Sequence, residues 1–246
     1  MISFVIPAHN EQELIGRTIR ALHAGAQALR EPYEIIVVND ASTDGTAQIS
    51  GELGAQVVTV QLRQISAVRN AGARRACGEV FFFVDADTLV PISTLRAALR
   101  ALAHGAVGGG AIAHFDGRIP LYALVLLEIV FGIAFHIFRL TGGCFLFCTR
   151  TAFQAAGGFD ERLFATEELV LSQALKRQGR FVVVRQRVIT SGRKLRAYST
   201  AEILGLLLRI GLRGPMAVRS RNALLDIWYA ERRPDPQTAT DAGARL

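Results

Sequence analysis

The stretch VFFFVDADTLV, residues 80–90, places two carboxylates directly behind a buried strand. Its first five residues are valine or phenylalanine, a run typical of a strand that is covered on both faces. Asp85 and Asp87 follow, separated by a single residue. Acids after a strand often cap the next helix, but the next helical pattern begins only near Ser93. The alternative is a metal site, because two carboxylates offer hard oxygen ligands to Mg²⁺ or Mn²⁺, ions that usually bind substrate phosphates as well.

Strand and helix patterns alternate through the first hundred residues. The predicted strands are residues 2–6, 34–38, 56–60 and 80–84, and the predicted helices are residues 11–29, 43–53, 65–77 and 93–102. Apolar strands between amphipathic helices predict an α/β fold with a Rossmann-like, mostly parallel sheet and helices on both faces. In such sheets, ligands bind at the carboxyl ends of the strands. Three of these ends are polar, and we expect them to meet in one crevice: PAHNE (7–11), NDASTDGT (39–46) and DAD (85–87).

Asp40 is the acid of the second polar stretch that local structure explains least. Residues 42–45 suit a turn and the start of a helix. Asp40 ends a strand instead, where its carboxylate can accept hydrogen bonds from a base or a ribose, or can simply serve the turn. The chain contains neither a GxGxxG motif nor a P-loop, so no glycine cradle is predicted for phosphates. Its absence strengthens the interpretation of Asp85 and Asp87 as metal ligands.

Length and cysteine content are typical of one reduced intracellular domain. The chain has 246 residues, half of them hydrophobic, which is ample for a sizeable core. Its three cysteines form no even disulfide framework, so we expect a cytoplasmic protein. Cys144 and Cys148 are expected to be buried free thiols rather than half of a metal site. No signal peptide is expected, because the sequence begins on an apolar strand.

The positive charge is concentrated in the last quarter of the sequence. Residues 1–184 are balanced, whereas residues 185–233 hold 11 basic and 3 acidic side chains, a net charge of +8. This concentration favours an anionic membrane surface or a phosphate-bearing substrate. Nucleic acid is not expected as a partner, because no basic platform interleaved with aromatic residues is present.

An apolar run at residues 121–138 raises the question of membrane contact. Its 18 residues are near the lower length limit for a spanning helix, and they include Glu128 and His136. Three interpretations remain: a spanning helix, a helix at the membrane surface, and a buried helix near an acceptor site. With the basic residues around the apolar run 203–212, we expect peripheral contact with the inner face of the membrane.

Five stretches occur in a recognisable order and spacing. They are VIPAHNE (5–11), IIVVNDASTDGT (35–46), VRNAGARRACGEVFFFVDADT (68–88), GGCFLFCTRTAFQAAGGFDE (142–161) and TEELVLSQALKRQG (166–179). Together they resemble the family two glycosyltransferases, which are inverting enzymes of the GT-A fold. The resemblance covers residues 2–196 and implies a catalytic domain over residues 1–196. From charge and apolar pattern we expect basic and apolar C-terminal helices over residues 197–233 and a flexible tail over residues 234–246.

The resemblance also implies roles for the donor-binding residues. Four residues match the first nucleotide-contacting loop of the family: Pro7, Ala8, Asn10 and Glu11. Asp40 matches the acid that contacts the nucleoside, although Asn39 stands where a second acid is common. Asp85 and Asp87 match the DxD motif, which binds Mg²⁺ or Mn²⁺ and the donor diphosphate. Arg193 is expected either to hold the diphosphate or an anionic acceptor, or to lie in a solvated basic loop.

The pair Glu167-Glu168 matches the family's Glu-Asp pair, whose second member is the usual catalytic base. We therefore assign the base to Glu168, with Glu167 in reserve, although a helix dipole also favours acids in a first turn. The Gln-x-x-Arg-Trp motif of processive enzymes is absent, so transfer of a single sugar is expected. The alternatives are an inactive sugar-nucleotide or lipid-binding module and a sugar-phosphate nucleotidyltransferase. A lipid-linked acceptor is predicted from the basic and apolar C-terminal region.

Overall fold

The computed structural model describes residues 1–117, 143–197 and 202. These residues belong to two compact units. The first comprises residues 1–114, 143–161 and 166–190 and contains the sheet. The second comprises the described residues 115–117, 162–165, 191–197 and 202.

The elements alternate as predicted through the first hundred residues. In chain order they are β1 (Ile2–Ala8), α1 (Ile15–Leu29), β2 (Tyr33–Asp40), α2 (Thr46–Glu52), β3 (Gln56–Val60), α3 (Ile65–Arg75), β4 (Val80–Val84), β5 (Thr88–Leu89), α4 (Ile92–Ala103), β6 (Ala106–Phe115), β7 (Phe145–Thr149), α5 (Arg150–Ala155), α6 (Glu167–Gln178), β8 (Arg180–Thr190) and α7 (Arg193–Ala197).

The eight strands form one sheet in the order β3-β2-β1-β4-β7-β6-β8-β5. Strands β3, β2, β1 and β4 pair in parallel. Beyond β4 the direction changes, because β7 pairs antiparallel with both β4 and β6, and β5 pairs antiparallel with β8. The predicted α/β fold with a parallel sheet is confirmed for the core, and an antiparallel half extends it.

Both faces of the sheet are covered, as the strand sequences predict. Side chains alternate across a strand, so Phe82 packs on one face with the apolar sides of α1 and α4. Phe81 and Phe83 pack on the other face with α3, α5 and α6. All three rings are essentially inaccessible to solvent. The run of three phenylalanines therefore serves two separate hydrophobic layers.

The element boundaries differ from the predicted ones mainly at the polar ends. Helix α1 begins at Ile15 rather than at residue 11, because residues 11–14 form a turn instead. Strand β2 continues through Asp40, two residues further than predicted. Its last residue pairs with Val60 of β3, and such pairing is not registered by apolar periodicity.

The described residues of the second unit are tied together around Asp116. Arg196 donates from Nη1 to the Asp116 carbonyl at 2.7 Å, and the Gly192 N–H donates to the Asp116 carboxylate at 2.9 Å. The predictions for residues 121–138 and 198–233 lie outside the described residues, apart from Glu202. Among the helices that are described, none has the length and apolar character needed to cross a membrane.

Candidate active site

The first two polar stretches meet beyond the carboxyl ends of β1 and β2, which are parallel neighbours. The Asn10 side-chain oxygen accepts from the Thr43 N–H at 2.8 Å, and the Asn10 N–H donates to Ser42 Oγ at 3.0 Å. The Glu11 N–H donates to Thr46 Oγ1 at 2.7 Å. Pro7 and Ala8 end β1 just before this contact. Asn10 and Glu11 therefore lie against the segment that follows Asp40, whereas Pro7 and Ala8 pair with Val38 and Asn39 of β2.

Asp40 is buried, and its carboxylate is held by a third loop. Its Oδ1 accepts from the backbone N–H groups of Leu62 at 2.7 Å and Arg63 at 3.1 Å, directly after β3. His9 contacts the same residue, since its Nδ1 lies 2.7 Å from the Asp40 carbonyl oxygen. A carbonyl can only accept, so Nδ1 carries the proton, and Nε2 faces the Arg63 guanidinium. Asp40 therefore links the ends of β1, β2 and β3.

Residues with unfavourable, positive φ angles lie in these loops and before α6. Asn10, Ala41, Arg63 and Thr166 have φ angles of 51°, 52°, 50° and 64°, in the left-handed region that side chains usually avoid. The first three follow β1, β2 and β3, and Thr166 directly precedes α6. Strained residues of this kind cluster at functional sites, where the surrounding structure maintains them.

The DAD stretch forms the turn between β4 and β5. The Asp85 N–H donates to the Cys144 carbonyl at 3.1 Å, and the Asp85 carbonyl accepts from the Thr88 N–H at 3.0 Å. Thr88 pairs with Thr190 of β8, whose hydroxyl lies 3.4 Å from Asp87 Oδ1. As predicted, neither acid caps α4, which begins at Ile92 after Pro91. The turn is thus anchored to strands on both sides.

Arg69 is a site residue that the sequence prediction missed. Its guanidinium is almost fully buried and donates to Asp85 at 2.8 Å, to Glu167 at 2.6 Å and to the Gly143 carbonyl at 2.9 Å. Helix α3 can bring it there because a Cβ at Gly72, one turn later, would overlap Val5 and Val38 of the sheet. The signal in the sequence was an arginine within the alanine- and glycine-rich face of a buried helix.

The structure separates the two adjacent acids of α6. Glu167 is 3% exposed, and its carboxylate is paired with Arg69. Glu168 is half-buried, and its carboxyl lies against Gly143, where an added Cβ would be 3.0 Å from Glu168 Cδ. The Glu167 carboxylate is therefore already engaged in an ion pair with Arg69. The position of Glu168 is consistent with its assignment as the base.

The surroundings of Glu168 raise the pKa of its carboxyl above the usual range. Burial, followed by repulsion from Glu167, raises the pKa of Glu168 to about 8, although the positive charge of Arg69 opposes the shift. Asp85 also raises it slightly, which places Glu168 in the same electrostatic cluster as the DAD turn. A general base is most effective when its pKa is near the working pH.

The DAD carboxylates suit a hard divalent cation that also binds a diphosphate. Two carboxylates leave most of an octahedral shell to phosphate oxygens and water. Among residues 1–117 and 143–197, no group of three or more His, Cys, Asp or Glu side chains could hold a metal ion. Asp85 and Asp87 would hold Mg²⁺ or Mn²⁺ only together with oxygen ligands from a substrate, and this role stays a prediction.

The two cysteines near the DAD turn and the basic residue Arg193 complete the set of predicted residues. Cys144 and Cys148 are buried free thiols, as expected. Burial, together with the nearby Asp85 and Asp87, raises the pKa of Cys144, so the thiol stays neutral. Arg193 opens α7 in the second unit, where its N–H donates to Ser191 Oγ at 3.3 Å. Its role in donor binding stays a prediction.

A second missed residue on α3 holds the loop that leads towards α6. Asn70 donates to the Phe159 carbonyl at 2.8 Å and to the Glu161 carboxylate at 2.9 Å, and its oxygen accepts from the Phe159 N–H at 2.9 Å. Arg69 and Asn70, adjacent in sequence, thus organise two different parts of the site.

The arrangement is that of a GT-A glycosyltransferase, and solved structures share the fold. The mannosyltransferase PcManGT from Pyrobaculum calidifontis, solved with GDP-Man and Mn²⁺, has a TM-score of 0.62 at 18% identity and covers 99% of this chain and 79% of its own. Residues 1–349 of S. aureus TarS, solved with UDP, have a TM-score of 0.61 at 19% identity and cover 88% and 73%.

The chain belongs to glycosyl transferase family 2, whose family pattern matches residues 3–152. The match includes the nucleotide loops, Arg69 and the DAD turn, and ends before Glu167. Among curated relatives, an undecaprenyl-phosphate 4-deoxy-4-formamido-L-arabinose transferase of Yersinia enterocolitica is 35% identical over 98 residues, which are 37% of this chain and 30% of that protein. The homologous enzyme of Pseudomonas fluorescens SBW25 is 38% identical over 98 residues, with 37% and 28% covered. The chain spans less than a third of these relatives.

Proposed function

We propose that the protein transfers one sugar from a nucleotide-diphosphate sugar to an acceptor hydroxyl, with inversion and with help from Mg²⁺ or Mn²⁺. The observation that carries this proposal is the Arg69 cluster. One buried guanidinium binds Asp85, the first DAD carboxylate, and Glu167, the neighbour of the candidate base. Binding of a donor diphosphate and activation of an acceptor are the two tasks of a glycosyl transfer, and Arg69 connects the residues for both.

The proposed roles follow from the chemistry of the step. A bound divalent cation would neutralise the negative charge of the departing diphosphate, and Asp85 and Asp87 would hold it. Asp40, Asn10 and the loops around them would bind the nucleoside. Glu168 would take the proton from the acceptor hydroxyl, on the side of the sugar opposite the leaving group. Glu167 stays paired with Arg69 and fixes the first turn of α6.

The acceptor is proposed to be lipid-linked. The curated relatives are named as transferases for undecaprenyl phosphate, and the basic region 185–233 suits an anionic membrane surface. The environment of Glu168 favours an acceptor that must lose a proton. A phosphate acceptor is already ionised at neutral pH, whereas a hydroxyl requires a base. A lipid-linked sugar with a free hydroxyl satisfies both observations.

A nucleotide-sugar screen tests the donor. Purified protein is mixed with UDP-, GDP- and dTDP-sugars, with and without Mn²⁺, and its melting temperature is measured. We expect stabilisation by one nucleotide class that grows when Mn²⁺ is present, because the metal and the diphosphate share ligands. In Asp87→Asn the Mn²⁺-dependent increment should disappear. An Asp87→Asn protein that responds to donor and metal like the parent would contradict the metal assignment.

Hydrolysis of the donor separates the enzyme from a binding module. With the donor found in the screen, slow release of free sugar should occur in the parent protein and should fall in Glu168→Gln. Product of the β configuration from an α-linked donor would support inversion. Stabilisation by the donor without any hydrolysis or transfer would favour the alternative of an inactive binding module.

Vesicle binding tests the membrane association. We expect the protein to co-sediment with vesicles that contain phosphatidylglycerol, and binding should weaken as salt rises. Neutralising Arg209, Arg213, Arg219 and Arg221 should reduce it. If the protein fails to bind these vesicles at low salt, the main argument for a membrane acceptor is lost.

A further inference from the structure

Gly143 lies between the proposed base and the buried arginine. Its carbonyl accepts a hydrogen bond of 2.9 Å from Arg69 Nη2. On its other side, a Cβ at Gly143 would lie 3.0 Å from both Cδ and Oε1 of Glu168. Separations of this size are shorter than ordinary van der Waals contacts. A side chain at position 143 would therefore press on the Glu168 carboxyl, which would have to move by a few tenths of an ångström.

The position of Gly143 is itself fixed by the fold. Arg69 holds the Gly143 carbonyl while its other Nη atom binds Glu167, the residue before Glu168. The next residue, Cys144, accepts the Asp85 N–H at 3.1 Å. Gly143 is thus attached to the DAD turn through its neighbour and to the start of α6 through Arg69. Its backbone is not in the left-handed region, so the backbone itself would accept an alanine.

We propose that Gly143 is a positioning residue for Glu168: it leaves the space in which the carboxyl lies and is held in place there by Arg69. The proposal rests on the proposed function, in which Glu168 acts as the base. Gly143 does not contact the nucleotide loops 7–11 or 39–46 in any interaction that the structure shows among its described residues. An effect of Gly143 through the Glu168 carboxyl would lower kcat alone, whereas an effect through Arg69 or the DAD turn would also weaken nucleotide and metal binding.

Gly143→Ala tests the proposal, because the added methyl group must displace the carboxyl. We expect kcat to fall by less than the roughly 10²-fold that a misplacement of about 1 Å produces, because relief of the contact moves the carboxyl by only a few tenths of an ångström. KM for the donor and the affinity for UDP or GDP with Mn²⁺ should stay unchanged. Gly51→Ala is the control, since its added methyl meets no atom within 4 Å and should leave kcat unchanged.

A double-mutant cycle distinguishes positioning from a general structural effect. In a Glu168→Gln background, Gly143→Ala should cause no further loss of kcat, because the base is already absent. An additional loss as large as in the parent would overturn the proposal. A drop in nucleotide affinity equal to the drop in kcat would overturn it as well, since Gly143 would then serve the donor site.

A second cycle does not depend on activity. Gly143→Ala should lower the melting temperature by about 2–4 °C in the parent, a shift typical of a small steric conflict in a chain of this length. In a Glu168→Ala background it should cause no such shift, because the space beside the methyl group is then open. Equal melting-temperature shifts in both backgrounds would show that the added methyl group does not conflict with the Glu168 carboxyl. If the melting-temperature shifts differ but the protein turns over no nucleotide-sugar, the contact between Gly143 and Glu168 stands and the proposed function is wrong.

Discussion

The two regions of the candidate site are built from different interactions. The predicted nucleotide loops, residues 7–11 and 39–46, are held by hydrogen bonds in which backbone N–H groups donate to side chains, as between Thr43 and Asn10 or Leu62 and Asp40. The Arg69 cluster joins one cation to Asp85 and Glu167, with Glu168 beside it. The first region thus fixes a shape, whereas the second fixes a charge distribution.

This difference predicts different responses to substitution. Loss of a neutral hydrogen bond costs about 1 kcal/mol when water can replace the partner. Removal of one member of a buried ion pair leaves its partner charged and unpaired, which costs several times more. Buried charges also shift the pKa values of their neighbours. The nucleotide loops should therefore tolerate single changes, and the Arg69 cluster should not.

The largest effect is expected for Glu168→Gln. Transfer should fall by about 10²- to 10⁴-fold, the usual contribution of a general base, while nucleotide affinity is retained because the glutamine fills the same space. Steady-state kinetics and calorimetric titration with the nucleotide measure the two quantities. Unchanged transfer in this variant, together with a loss in Glu167→Gln, would move the role of base to Glu167.

The pH profile provides a second test of the same residue. The base must be deprotonated, and the pKa of Glu168 is raised to about 8, so kcat should increase with pH up to that region and then level off. Glu168→Gln should lose this dependence. A parent profile that is flat between pH 6 and 9 would contradict the assignment.

Arg69→Met should produce the next largest effect, on stability. We expect the free energy of unfolding to decrease by about 3–5 kcal/mol, the usual result of removing one partner of a buried ion pair. Most of the loss comes from Glu167, whose side chain is 4% exposed, rather than from the more accessible Asp85. Urea denaturation measures the difference.

Arg74→Met on the same helix is the matched control. Arg74 pairs with Glu161 at 3.7 Å, but the two side chains are 65% and 49% exposed. Exposed pairs contribute at most about 1 kcal/mol. If Arg69→Met and Arg74→Met lower the free energy of unfolding equally, burial does not make the Arg69 pairs more important than an exposed pair.

Asp40→Asn should weaken nucleotide binding by about 10- to 100-fold, the equivalent of one hydrogen bond to a charged group at ~1.5–3 kcal/mol. The amide oxygen can still accept from Leu62 and Arg63, so the loop is expected to keep its shape. Calorimetric titration measures the affinity, and the exposed Glu52→Gln provides the control. A large loss of stability without a loss of affinity would show that Asp40 serves only the turn.

The smallest effect is expected for Asp44→Ala, a stability loss of about 1 kcal/mol, typical of a side-chain hydrogen bond. Asp44 accepts from the N–H of Thr46 at the start of α2 and from the N–H of Gln12 in the first loop. Partial burial would raise the pKa of Asp44, but the hydrogen bonds from the Thr46 hydroxyl and from the N–H groups of Thr46 and Gln12 outweigh burial and lower it. The stabilisation is therefore present above the ordinary pKa of 3.8 and is lost as the pH falls below it. The unfolding curves of Asp44→Ala and the parent should converge in acid.

The sequence by itself determined the order of the elements in the first hundred residues and the contact between the first two polar stretches. Both depend on local patterns: apolar runs of strand length, helical periodicity between them, and polar residues where each strand stops. Since the carboxyl ends of parallel strands share one edge of the sheet, the contact between PAHNE and NDASTDGT followed from the parallel arrangement. Cys144 and Cys148 were predicted as buried free thiols, because no second cysteine pair or histidine cluster in the sequence completes a metal site.

The tertiary structure alone decided the roles of Arg69, Gly143 and the two glutamates. Arg69 and Glu167 are 98 positions apart, and no periodicity relates residues at that distance. Adjacent acids in a first helical turn look equivalent in sequence, but the rotation of α6 turns Glu167 to the buried guanidinium and leaves Glu168 beside Gly143. The charge state of each carboxyl depends on which groups surround it. Only the packing of α3, the antiparallel strand β7 and α6 around the DAD turn brings those groups together.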